Sequence, residues 1–203
     1  MPRVSDAKER LMSAAIDLIW ENSYGSTSVD AICEKAGVKK GSFYYFFASK
    51  SELAVTAIEA DWQDKKAGLD EIFSPVVPPL DRLRGLFAWG LERQIKLKEK
   101  CGFVCGCPLF TLGSEVGTQD ELIRAKVEEM LGRMVKYYES AIRDAHAQGL
   151  IHAPNAEAKA RMLFAYVEGV LTQSRIQNDL QPVRDVAEGA MELLGAKPEA
   201  VTS

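Results

Sequence analysis

The sequence predicts an all-α protein: an N-terminal three-helix domain built around a helix-turn-helix, then a larger C-terminal helical domain. Three observations carry that expectation. Apolar residues recur at three- and four-residue spacing along nearly the whole chain. No segment alternates in the manner of a half-buried strand. Polar capping pairs and Gly or Pro breakers divide the periodic stretches into about nine helices.

Taken in order, Asp6 and Glu9 stand at capping-box spacing, and Leu11, Ala14, Ala15 and Leu18 form one apolar stripe before Gly25. Thr27 and Asp30 make a second box, with Val29, Ile32, Cys33 and Ala36 as its stripe. Gly37 follows at once as a C-terminal cap, so this helix is short. After the turn Gly37-Val38-Lys39, another short helix is expected over about residues 40–47. Ser49 and Glu52 box a longer helix, expected to reach Trp62. The breaker SPVVPP follows at 74–79, and Leu83, Leu86, Phe87, Gly90 and Leu91 mark the next helix. CGFVCGCP interrupts it, and Pro108 suits the first position of a new helix. Thr118 and Glu121 open a long helix toward Gln148, closed by Gly149. One more spans about 155–178, and Pro182 opens the last, which stops near Gly195. The final eight residues read as a frayed tail.

Composition narrows the function. The chain has 203 residues, 47% hydrophobic and 27% charged, as an ordinary globular protein has. No apolar run approaches the ~20 residues of a membrane span, and Met1 to Arg10 lack a signal-peptide core. A cytoplasmic location without membrane association is therefore expected. Net charge is -4, but it is uneven: residues 1–50 hold seven Lys/Arg against six Asp/Glu, net +1, which leaves -5 for the rest. An acidic chain can still bind DNA when a few cations sit on the contacting face. Serine-hydrolase, zinc-protease, phosphate-loop and dinucleotide motifs are absent, and two histidines with scattered carboxylates suggest no acid–base pair. A non-enzyme without a cofactor or metal is expected. An enzyme, or a helical binding module without DNA function, are the competing classes; both leave residues 27–53 unexplained.

That stretch reads TSVDAICEKAGVKKGSFYYFFASKSEL. Two short helices about a glycine turn are what a helix-turn-helix requires: the first braces the second, whose exposed face enters the major groove. Val29, Ile32, Ala36, Val38 and Phe43 are candidates for the small core, and Lys39, Lys40, Ser42 and Tyr44 for the polar face. Thr27-Ser28, Gly37-Val38, Ser42, Tyr44-Tyr45, Phe46-Phe47 and Ser49-Lys50 before Glu52 together resemble the DNA-binding domain of the tetracycline-repressor (TetR) family. The resemblance implies a DNA-binding domain over residues 1–52 and a sensing and dimerisation domain over 53–203. It implies that Lys40, Gly41 and Ser42 approach base edges, with Lys40 as a guanine reader. Ser28, Lys39, Tyr44 and Lys50 would hold phosphates, and Tyr45 a sugar or thymine methyl. Phe46 departs from the family's frequent histidine, which removes one expected phosphate donor.

The resemblance also implies a homodimer on a double-stranded palindromic operator, released by an effector. Met162, Leu163, Tyr166, Gly169, Val170, Gln173 and Ser174 trace one face, and Val183, Val186, Ala187, Ala190 and Leu194 another, as candidate dimer surfaces; an intramolecular core is the alternative. Trp62, Trp89, Phe110, Met134 and Tyr138 are candidate pocket residues, and equally candidate core. Three cysteines cluster at Cys101, Cys105 and Cys107. Cys107 precedes Pro108, where helix N–H groups favour thiolate. Inert thiols, electrophile or oxidant sensing, and a soft metal with His146 or His152 all remain open, although C-x3-C-x-C matches no common zinc frame.

Overall fold

The computed structural model describes residues 4–196. Among them are nine helices and no strand: α1 (Val4–Glu21), α2 (Val29–Ala36), α3 (Lys40–Phe46), α4 (Lys50–Ile72), α5 (Pro79–Cys101), α6 (Pro108–Val116), α7 (Glu121–Ala147), α8 (Ala156–Gln177) and α9 (Gln181–Leu194). The expected frayed tail lies largely outside the described residues. No helix is long and apolar enough to cross a membrane.

The chain forms two compact units. One unit takes the residues up to Ala67 together with Pro108–Met130; the other takes Gly68–Cys107 and the residues from Leu131 onward. The divisions lie inside α4 and α7, because both helices continue past the point where a short domain would end. α4 was expected to reach Trp62 and runs on to Ile72. Its polar stretch stays helical through i,i+4 pairs, Gln63 to Glu59 at 2.7 Å and Lys65 to Asp61.

In the first unit, α1 packs on α2 and α3, and α6 packs on α1. Leu11, Ala15, Ile32 and Phe43 are fully buried, with Ala14, Cys33, Ala36 and Phe47 nearly so. Each of the larger side chains contributes roughly 1.5–3 kcal/mol on burial. Val29 and Val38, expected in this core, are only half-buried; Cys33 and Phe47 fill it instead. The helix starts differ from the sequence expectation in instructive ways. α1 begins at Val4, so Asp6 lies in its first turn and pairs with Arg10 one turn on, at 3.5 Å. Ser28, not Thr27, caps α2: its Oγ accepts from the Ala31 N–H at 3.1 Å, while the buried Thr27 hydroxyl donates back to the Ser23 carbonyl. Ser49 does cap α4, its Oγ accepting from Glu52 N–H at 3.0 Å, while Glu52 reaches one residue further back than a capping box requires and accepts from Ala48 N–H at 2.7 Å. α7 is capped by Asp120, which accepts from Ile123 N–H at 3.1 Å, rather than by Thr118.

In the second unit, α8 and α9 pack side by side and α5 packs on α9. Asn155 caps α8, and Asn178 ends it at φ 51, the left-handed conformation asparagine tolerates. α9 has a single apolar stripe, and α8 and α5 consume it. Val183, Val186, Ala190 and Leu194 are therefore buried within the protomer, as are Leu163 and Ser174 of α8; these six are core rather than dimer surface. Arg82 is buried too, and its guanidinium is satisfied by Asp144 at 2.6 Å and by the Val77 and Pro75 carbonyls. Such full pairing is the condition under which a buried charge is tolerated.

Candidate nucleic-acid interface

The site starts from the turn. Gly37 adopts φ 64, a conformation that a Cβ would strain, and closes α2 by donating to the Glu34 carbonyl at 3.0 Å. Val38 N–H bonds Cys33 O at 3.0 Å, the paired signature of a Schellman cap. The chain then re-enters a helix at Lys40. Arg10 ties α1 to the end of α2 through the Ala36 carbonyl at 2.9 Å. α3 is anchored by Phe43 inside it and Phe47 just after it, at 0% and 2% exposure.

Anchoring those two rings turns the other face of α3 outward. Lys39, Lys40 and Gly41 are exposed and Ser42 is half-exposed. Tyr44 and Tyr45 are 58% and 75% exposed, unusual for large aromatics in a stable surface. Tyr44 leans edge-on against Phe43, with ring centroids 5.1 Å apart, so the buried ring orients the exposed one. A Cβ added at Gly41 would meet nothing within 4 Å, so the backbone there is open to close approach. The structure thus brings Lys39, Lys40, Gly41, Ser42, Tyr44 and Tyr45 onto one exposed surface.

Three expected contacts read differently in detail. Lys40 is tied to Asp30 of α2, Nζ to Oδ1 2.9 Å, and that hydrogen bond raises its pKa. Asp30 therefore holds the Lys40 side chain, a partner visible in the sequence only as a capping acid. Ser28 spends its acceptor oxygen on the cap, and its O–H remains available to donate. Lys50 is not on the exposed surface in the same sense. Its ammonium donates to the Tyr24 and Thr27 carbonyls at 2.8 and 2.9 Å and lies 3.9 Å from the Tyr24 ring centroid; burial lowers its pKa. It holds the α1–α2 connection, so removing it tests structure before it tests phosphate. Phe46, in place of histidine, is half-buried edge-on to Tyr45 at 4.9 Å. Glu115 of α6 accepts from the Tyr24 and Gly25 N–H groups at 2.9 and 2.6 Å, bracing the loop before α2. Nothing local marks such a pairing across ninety residues.

The candidate sensing residues are shared between the two units. Trp62 and Phe110 belong to the first unit; Trp89, Met134, Tyr138 and the three clustered cysteines belong to the second. Trp62 and Tyr138 are buried, the latter edge-on to Phe164 at 5.5 Å; Trp89, Phe110 and Met134 are half-buried, and Arg93 lies over Trp89. Cys105 is fully buried, whereas Cys101, the last residue of α5, and Cys107 are partly exposed thiols. Gln94 clamps the segment between them, accepting from Gly106 N–H and donating to its carbonyl, both at 3.0 Å. The Cys107 thiol hydrogen-bonds Glu168 of α8. No group of three His, Cys, Asp or Glu among the described residues could hold a metal ion.

A braced recognition helix with cations, an open glycine and exposed tyrosines defines a helix-turn-helix DNA-binding regulator. The family profiles "Bacterial regulatory proteins, tetR family" and "Tetracyclin repressor-like, C-terminal domain" match residues 11–57 and 79–190. The chain belongs to the TetR family and is a transcription regulator, not an enzyme. It is 31% identical to the transcriptional regulator AcuR of Cereibacter sphaeroides over 180 residues, covering 87% of this chain and 80% of the relative. It is 27% identical to an HTH-type transcriptional regulator in the lacX 3' region of Lactococcus lactis, covering 95% and 96%. The crystal structure of a regulatory TetR protein from Rhodobacter sphaeroides superposes with a TM-score of 0.81 at 26% identity, covering 92% of this chain and 98% of that one. Regulators of this family bind DNA operators and act as dimers.

Proposed function

We propose that this chain is a repressor that binds a palindromic operator as a homodimer and leaves it when Cys107 is modified. The observation that carries the DNA half is the exposed surface of α3, held by Phe43 and Phe47. Lys40 reads guanine O6 and N7 once it exchanges Asp30 for the base edge, with Gly41 and Ser42 beside it. Lys39, Tyr44 and the Ser28 hydroxyl set the register on phosphates, and Tyr45 contacts a sugar or a thymine methyl.

One short recognition helix makes few base contacts, so two copies are needed, centred ~34–36 Å apart or a multiple of that. The surface left for a partner is the outer face of α8. Met162 and Ile176 are 45% and 79% exposed, and Gly169 lies between them at seven-residue spacing with open space at its Cα. An apolar helical stripe with a small residue at its centre suits close approach of a second helix.

The effector half rests on Cys107, partly exposed and immediately before the first residue of α6. Added bulk there acts on the start of α6, and Glu115 near its end braces Tyr24 and Gly25 below the reader. Operator binding by the reduced protein, measured by gel shift before and after alkylation, tests both halves. Retained affinity with Cys107 fully modified would remove the thiol reading and leave a reversible ligand in its place.

A further inference from the structure

Glu168 stands midway along α8 with 5% of its surface exposed, and its Oε2 makes no hydrogen bond. No basic side chain among the described residues pairs with it. The groups that face it are the Cys107 thiol, which donates to its carboxyl, and the buried phenol of Tyr138 on α7. Arg175, two turns further along α8, is directed to the Cys105 carbonyl instead. Desolvation disfavours the charged form of a carboxyl in such surroundings. Burial accordingly pushes Glu168 up to about 7, with the thiol hydrogen bond acting in the opposite sense. A purely structural position of this kind is filled as well by an apolar side chain.

We propose that Glu168 is the base that takes the Cys107 proton, and that the pair forms a covalent site for α,β-unsaturated carbonyl compounds. This rests on Cys107 being the responsive thiol and adds how it is activated. A carboxylate against the sulfur opposes a second negative charge, so thiolate is not the resting species despite the helix that follows. Reactivity comes instead from proton transfer during attack. As sulfur bonds to the β-carbon, its proton passes to Glu168 and the alkene electron pair moves onto the carbonyl oxygen as an enolate. Tyr138, kept a neutral phenol by burial, is a donor for that oxygen. Glu168 then returns the proton to the α-carbon. Thiol and enone become one thioether; no group leaves and no external oxidant or reductant is used. Returning the proton restores the buried carboxyl to its starting state, which is why addition suits the site. Disulfide formation with Cys105 suits it less, since that sulfur is fully buried.

The test follows Cys107 modification by methyl vinyl ketone with intact-mass spectrometry, from pH 5.5 to 9, in the full-length protein. In the wild type the rate rises through about pH 7 and then levels, as a base titrating there requires. In Glu168→Gln it is about 100-fold slower at pH 7 and keeps climbing with hydroxide. Glu168→Asp, which keeps a carboxyl, recovers part of the rate. Cys107→Ser shows that the mass change belongs to this thiol. A Glu168→Gln rate within about fivefold of wild type, or faster, overturns the proposal. If Glu168→Gln does not fold, a wild-type rate that climbs without levelling overturns it, and one that levels near pH 7 supports it. Operator affinity of the alkylated wild type is read separately: unchanged affinity sinks Cys107 as a switch while leaving Glu168 as its base.

Discussion

The two units differ in where most of their polar side chains go, although Thr27 and the Arg10 Nε of the first unit are buried too. In the reader, polar side chains serve the ends of helices or face outward: Ser28, Ser49 and Glu52 cap, Lys50 ties two carbonyls, and Lys39, Lys40 and Tyr45 point to solvent. In the second unit, polar groups are drawn inside. Arg82 and Gln94 are buried and fully engaged, while Glu168 Oε2 and Ser174 Oγ are buried without hydrogen-bond partners. An outward polar face suits a large charged ligand that arrives from solvent. Inward groups held at a cost suit chemistry that happens within the fold. Substitutions confined to one unit put that contrast to the test.

The largest effect is expected at the anchor of the reader. Phe43→Ala removes a fully buried ring and should destabilise the first unit by about 4 kcal/mol, read by urea denaturation, with loss of operator binding at all sequences. Helical content of the second unit should survive it if the two units are as separate in stability as in composition.

Glu168→Gln should act in the opposite direction. The folded-state pKa, about 7, lies above the usual carboxylate range, so the folded protein binds the proton more tightly than the unfolded chain. Below the unfolded value the carboxyl costs nothing; as pH rises through about 7 that advantage is lost and ionising it becomes a penalty. Replacing it by the neutral amide should therefore stabilise the protein by on the order of 3 kcal/mol at pH 8 and by little at pH 4. Melting curves across that range check the sign.

Gly169→Trp should leave the protomer folded, since its position is open, but overfill the partner surface on α8. Sedimentation at micromolar concentration should show monomer; a variant that stays fully dimeric moves the interface elsewhere. The smallest effect belongs to Lys39→Ala, which should weaken binding to all duplexes alike and flatten the salt dependence by about one unit.

What was legible in the sequence follows from how local each determinant is. The turn at Gly37, the short α2 and α3, the Ser49–Glu52 cap and the exposed surface after Lys39 are written within a few residues of one another, and each was readable. The end of α4 was not, because i,i+4 pairs among Glu59, Asp61, Gln63 and Lys65 carry a helix through a stretch with no apolar stripe. Periodicity shows that Leu163, Ser174 and the α9 stripe are buried by something, but not by which helix, so core and dimer surface look alike in the sequence. Lys40 to Asp30, Glu115 to Gly25 and Cys107 to Glu168 join residues ten to ninety positions apart, and only the fold supplies those distances.

If the exposed surface of α3 reads DNA as a dimer, selection of bound sites from random duplexes will show it. Run on wild type and Lys40→Ala in parallel, it should return one palindrome with half-sites about one helical turn apart or a multiple of that. The variant should bind roughly tenfold to a hundredfold more weakly and lose its preference at one symmetric pair of positions. A wild-type motif without two-fold symmetry, or a motif unchanged by Lys40→Ala, would contradict the account.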